Sequence, residues 1–212
     1  KKALEVNTTG SRNIAIGTEA LDTNETGNDN VAIGYASLNL NTASNNTAIG
    51  YQSARDTSTG TSNVAIGYNS LLSNTTGANN TAVGFQSLQT NSTGSKSVAV
   101  GRSALYSNTT ADDNVALGYY SLYNNTTGAS NTGLGTQALI VNTTGASNTA
   151  VGAFALDSNT TGDGNTAVGA LAGDALTDAN YVTAIGFNAL TQNTANNNVA
   201  VGAYALTANT TG

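Results

Sequence analysis

Asn63-Val64-Ala65-Ile66-Gly67-Tyr68-Asn69-Ser70-Leu71-Leu72-Ser73-Asn74-Thr75-Thr76-Gly77-Ala78-Asn79 is one unit of a phrase that runs through the whole chain. Its glycine returns at Gly17, Gly34, Gly50, Gly67, Gly84, Gly101, Gly118, Gly135, Gly152, Gly169, Gly186 and Gly202. The spacing is 17 residues except at Gly34 to Gly50 and Gly186 to Gly202, where it is 16. A fixed period of this size means one structural unit stacked many times. Within the unit, Val-Ala-Ile is short, β-branched and bounded by Asn and Gly, which predicts a strand. Tyr-Asn-Ser-Leu predicts a second short extended piece. Asn74-Thr75-Thr76-Gly77 is turn chemistry, and Gly67 makes the other corner. Two strands and two corners per unit describe one coil of an all-β, parallel β-solenoid. The whole chain, 1–212, reads as a single repeat domain of about twelve rungs, because each unit touches only its neighbours. It opens at Lys1-Lys2 and stops at Gly212 inside a repeat, and is expected to be a fragment of a longer fibre.

Composition narrows the chemistry. The 212 residues contain no Cys, His, Met, Trp or Pro. Thiolate chemistry and Cys-based metal sites are therefore out, as are the usual neutral-pH general base and the commonest metal ligand. The six basic residues are scattered and the net charge is −6, the opposite of the clustered cations that nucleic acid requires. No apolar run reaches the roughly 18 residues of a membrane-spanning helix. The expectation is no catalysis, no cofactor, no metal, no nucleic acid and no membrane insertion in this segment.

Several slots repeat as columns. The third strand slot is aliphatic in every unit (Ile16, Ile33, Ile49, Ile66, Val83, Val100, Leu117, Leu134, Val151, Val168, Ile185, Val201) and is expected to be interior. A leucine column (Leu21, Leu38, Leu71, Leu88, Leu105, Leu122, Leu139, Leu156, Leu190, Leu206) would face it, with gaps at Ala54 and Gly173. The slot between Val64 and Ile66 holds Ala from Ala15 to Ala200, with Gly133 as the single exception. It marks either close approach of another chain or a tight bend within this one. If it lies at an interface, Ala65→Leu tests assembly, while Ile66→Ala tests the core. Two asparagine columns follow. Asn13, Asn30, Asn46, Asn63, Asn80, Asn114, Asn131, Asn148, Asn165 and Asn198 precede the strand. Asn7, Asn24, Asn41, Asn74, Asn91, Asn108, Asn125, Asn142, Asn159, Asn193 and Asn209 sit at the turn. Stacked amides are expected to bond up the array. Some, such as Asn74-Thr75-Thr76, also match the glycosylation signal.

An aromatic column, Tyr35, Tyr51, Tyr68, Phe85, then Arg102 and Tyr119, either steadies the ladder or offers a binding stripe. One unit departs from the pattern. Between Ala170 and Val182, Leu176 and Val182 replace both asparagines, which predicts an apolar bump at that corner. Leu171, Asp174, Leu176, Asp178 and Tyr181 are its candidate contact residues.

Asn-Val-Ala-Ile-Gly followed by Tyr-x-Ser-Leu resembles the head repeat of trimeric autotransporter adhesins, the YadA-like head, whose motif reads Asn-Ser-Val-Ala-Ile-Gly. Similar repeats look at home in bacteriophage tail fibres. The likeness covers essentially the whole chain. It implies a left-handed β-roll, three chains side by side, and an extracellular place on a cell or virion surface. Its units are longer than the family's coil, and the extra residues fall in Asn-Thr-Thr-Gly. The function so implied is a structural and adhesive fibre segment, a homotrimer whose further partners are surface glycans or proteins. A thin two-column core points the same way, toward association.

Two other functions compete. An ice-binding solenoid keeps uniform Thr in outward strand positions, and the slots read as outward here vary (Glu19, Gln52, Asn69, Ser103, Tyr120, Phe154). A glycan-binding tail fibre is the other. A glycan-cleaving enzyme would need paired carboxylates, whereas Asp112-Asp113, Asp157, Asp163, Asp174 and Asp178 are scattered. Asn28-Asp29 alone is a weak calcium signal, and the glycine-rich calcium nonapeptide is absent.

Overall fold

A computed structural model describes residues 2–192 and 194–208. It contains twelve three-residue strands, from β1 (Ile14–Ile16) through β4 (Val64–Ile66) to β12 (Val199–Val201). They form one parallel sheet in strict sequence order, so every strand pairs with the strand one unit away. The register is slot on slot: Val64 opposite Thr81, Ala65 opposite Ala82, Ile66 opposite Val83. A parallel β-solenoid with a 17-residue coil is the result. The 16-residue units keep this register, and Val31 still faces Thr47. In the unit from Gly34 to Gly50 the missing residue comes out of the corner, where Asn41 Nδ2 reaches the Ala43 carbonyl two residues on instead of a glycine three residues on.

The second segment of each coil is not a strand but a run of turn. Asn69 and Leu71 both have φ of 52°, and the same alternation recurs at Gln86 and Leu88 and up the stack. The N–H of Asn69 donates to the Tyr51 carbonyl of the rung below, and that of Leu71 to the Ser87 carbonyl of the rung above. The backbone therefore stays paired between rungs while curling tightly enough to close the coil. Extended geometry would have carried it past the corner.

This curl decides which side chains fill the core, and it reverses one sequence expectation. The leucine column is interior: from Leu21 to Leu190 its leucines are fully buried. The residues facing it are the alanines. From Ala32 to Ala184 the alanines of this slot are fully buried, while Ile16, Ile49, Ile66, Leu117, Val168 and Ile185 point outward and are exposed. The aliphatic third slot is thus a surface stripe, and the small slot is core rather than an interface or a bend. The coil is too thin to hold two large side chains across it. At Gly133, an added Cβ would meet Ser121 Oγ at 2.5 Å and Leu122 Cγ at 3.3 Å, so the slot has no room for a large side chain.

From Asn24 to Asn165 both asparagine columns are buried and hydrogen-bonded, with different wiring. At the turn, amide bonds to amide: Asn91 Nδ2 donates to Asn74 Oδ1 at 2.9 Å, and Asn108 Nδ2 to Asn91 Oδ1 at 2.8 Å. The ladder continues through Asn125, Asn142 and Asn159. Before the strand, the amide serves backbone. Asn63 Oδ1 accepts from the Asn80 N–H, and its Nδ2 donates to the Gly77 carbonyl. Asn193 and Asn209 lie outside the described residues.

Candidate functional site

Among the described residues there is no pocket, no group of three acidic residues placed to hold a metal ion, and no helix able to cross a membrane. Three surface features stand out.

The first is the outward face of the sheet. Two side chains per rung project from it, one from the slot of Val64 and one from the slot of Ile66. The first slot is Val or Ile in six rungs and Thr at Thr47, Thr81, Thr132, Thr149, Thr166 and Thr183. The second is aliphatic throughout. The result is a continuous stripe of Val, Ile, Leu and Thr along all twelve strands. Glu19, Gln52, Asn69, Ser103, Tyr120 and Phe154 are not outward strand positions: all have positive φ and lie in the turn segment. Their variety therefore does not bear on the ice-binding reading.

The second feature is aromatic. Tyr35, Tyr51, Tyr68 and Phe85 stack face to face at 5.2–5.3 Å with planes within 17° of parallel. The Arg102 guanidinium caps the column 5.3 Å from the Phe85 ring. These rings cover one another's faces and leave mainly edges to solvent, which favours the ladder-stabilising role. The column ends at Tyr119 in a cluster that sequence reading missed. Tyr119 meets Tyr120 edge-on at 4.2 Å, Tyr120 meets Tyr123 at 4.8 Å and 68°, and Tyr123 stacks on Tyr106 at 5.1 Å. Three different slots are joined here, and only the left-handed turn at Tyr120 (φ 55°) brings them together.

The third feature is the atypical unit. Leu176 and Val182 are buried inside the coil, so the expected outward bump is absent. Gly173 leaves the leucine slot empty, and Leu176 turns inward to occupy it. A Cβ added at Gly173 would sit 3.0 Å from both Leu156 Cδ2 and Leu176 Cδ1. Of the candidates, Leu176 is thus core, Leu171 and Asp174 are half-buried, and Asp178 and Tyr181 are exposed. The Tyr181 ring lies over Gly164, whose added Cβ would be 2.8 Å from it.

Asp174 occupies the same slot as Asp157 one rung below. Burial pushes both carboxyls above the usual carboxylate range, and repulsion from Asp174 adds to the shift at Asp157. Asp174 Oδ1 has no hydrogen-bond partner. Three further carboxylates are spent on structure: Asp112 accepts from the Ser95 N–H and Asp163 from the Ala146 N–H, each at 2.7 Å, while Asp29 pairs with Arg12 across one rung, its second oxygen accepting from Arg12 at 2.7 Å. Asn74, in the glycosylation signal, is fully buried and donates to the Gly77 carbonyl, so its amide is not presented to solvent.

No protein-family model matches this chain, and neither a curated protein nor a solved structure matches it.

Proposed function

We propose that this chain is a segment of an extracellular fibre that extends and presents a repeated surface for adhesion, and that three copies assemble side by side through the outward face of their sheets. The observation that carries the reading is the unbroken stripe of Val, Ile, Leu and Thr along twelve strands. A contiguous apolar patch of such length on a soluble chain marks an interaction surface. The stripe runs the full length of the coil, which suits a partner of the same length and period, and a second or third copy meets that condition. The resemblance to the YadA-like head supplies the number three and the left-handed sense. The same features fit a tail-fibre shaft. The reading assigns no catalytic role: Asp112 and Asp163 hold backbone, Asp29 pairs with Arg12, and Asp157 and Asp174 repel one another in a structural slot.

Sedimentation at micromolar concentration tests it. The expected outcome is a stable trimer that Ile66→Asp together with Leu117→Asp converts to folded monomer. A folded monomer from the unmodified chain overturns the reading. A second reading rests on the same face. Rungs eight to eleven present Thr132, Thr149, Thr166 and Thr183 in register beside Leu134, Val151, Val168 and Ile185, a flat file of hydroxyls and methyls of the kind that orders water. Thermal hysteresis from a monomeric chain, lost in Thr149→Tyr with Thr166→Tyr, would favour ice binding over assembly.

A further inference from the structure

We infer, on the basis of the side-by-side assembly proposed above, that its copies are clasped through rungs one to seven, and that rungs eight to eleven part at low salt and close as ions screen them. Three features of the coil change at the same height. The first is the outward face. In rungs one to seven its first slot is aliphatic except at Thr47 and Thr81. In rungs eight to eleven it is always Thr: Thr132, Thr149, Thr166 and Thr183. Thr has the shape of Val, but its hydroxyl must give up water when the face is covered. The second is the slot just past the corner glycine. It carries Tyr35, Tyr51, Tyr68, Phe85 and Tyr119 in the lower rungs, each 42–45% exposed. Thr136, Ala153 and Ala170 follow in rungs eight to ten. The upper rungs therefore offer a neighbouring copy less apolar area.

The third is charge. Six bases balance six acids up to Arg102. Beyond Arg102 stand six aspartates and no base, so the whole net charge of −6 falls in that half. Asp157, Asp163, Asp174 and Asp178 all lie within rungs nine to eleven, and Asp163 and Asp178 are exposed. Three copies around a common axis run parallel, so equivalent rungs stand at the same height. Weaker apolar contact and like charge then coincide rung for rung. At about 0.01 M salt such charges repel over about 30 Å, and at about 0.15 M over about 8 Å. The lower rungs, balanced in charge, feel little of this.

The test uses the full chain. It has no cysteine, so a single introduced thiol reports one place. Ile49→Cys and Val168→Cys put the thiol in the same outward slot of rungs three and ten, at positions 36% and 37% exposed in the single chain. Each variant is checked by circular dichroism, sized by sedimentation, and reacted with a maleimide at about 0.01 M and about 0.15 M salt. The expected result is a trimer in which Ile49→Cys is protected at both salts. Val168→Cys should react about tenfold faster or more at the lower salt, as a locally opened segment does. Asp163→Asn with Asp178→Asn, added to Val168→Cys, should remove most of that difference. The amide of Asn at 163 can still accept from the Ala146 N–H, so the fold is kept while the charge is lost. Glu5→Gln with Glu25→Gln, the same charge change in the first rungs, should leave the difference in place. Should either cysteine variant fail to fold, Ile33→Cys and Leu134→Cys take the same slot in rungs two and eight. A trimer protected equally at both positions and both salts overturns the inference and leaves the assembly standing. So does a salt effect that survives the paired aspartate substitution. A monomer at both salts, with both thiols reactive, overturns the assembly reading and the inference together.

Discussion

At the residue scale the coil is held by side chains in backbone conformations that they seldom take. Leu71 has φ of 52°, a left-handed geometry that costs an L-residue roughly 1–2 kcal/mol. Glycine would be free there, yet leucine occupies the slot in nearly every rung, because in an ordinary rung it is the one large apolar side chain in the core. Leu71→Ala should therefore destabilise the fold by about 2–5 kcal/mol, measured by chemical denaturation, since strain is kept and packing lost. Ala65→Leu should also destabilise it, by about 1–3 kcal/mol, through overpacking against that column. Ile66→Ala, on the outward face, should leave the monomer fold nearly unchanged and weaken association instead. Lys96, exposed at φ of 58°, has no core to fill. Lys96→Gly should accordingly leave stability unchanged or raise it by up to about 1 kcal/mol. The corner Gly67 is different again: at φ of 135°, an added Cβ would run into the Gly84 carbonyl of the next rung.

At the scale of the rung, identical elements multiply whatever one residue does. The turn amides form a ladder from Asn74 through Asn159, in which each Nδ2 donates both to the amide below and to its own corner carbonyl. Below Asn74 the run is interrupted: besides its own Gly77 carbonyl, the Asn74 amide meets Thr57 Oγ1 at 3.4 Å where another amide would stand. It stops at the atypical unit, where Leu176 replaces the amide. Stacking is harmful where the repeated group is a charge. Asp157 and Asp174 occupy one slot on adjacent rungs, and their folded-state carboxyls titrate above the ordinary range. A raised carboxylate destabilises the fold above its folded-state pKa, and this is relieved as pH falls through that value toward the unfolded one. Asp174→Asn should thus raise the melting temperature at pH 7. The advantage over the unmodified chain should shrink as pH approaches about 4, which a series of thermal melts across that range checks. An advantage that stayed constant with pH would show that the pair does not titrate as described.

At the scale of the molecule the solenoid is a one-dimensional array, with all tertiary contact between strands running to the neighbouring rung. Stability is then a sum over rungs and their interfaces. Removing residues 80–96, one whole unit, should preserve the fold and shorten the particle by about 4.8 Å. Removing half as many should collapse it, because every slot above the cut would meet the wrong neighbour. Small-angle scattering with circular dichroism separates the outcomes, and helix content should be near zero in the intact chain.

The sequence by itself determined the period, the parallel stacking, the leucine column and the stacked asparagines. Each of these follows from a residue meeting its own copy one unit away, and a repeat states that directly. Only the tertiary structure decided which strand face turns inward. Alternation separates Val64 and Ile66 from Ala65 but does not orient them, and hydropathy alone points the wrong way. The leucine that crosses the coil leaves room for a methyl group and nothing larger, so the alanines are core and the larger aliphatics become surface. The tyrosine cluster was hidden for a related reason. Tyr106 and Tyr123 share one slot on adjacent rungs and Tyr120 fills another, and the left-handed bend that recurs in every rung turns those slots toward each other, which alternation along an extended segment would not do.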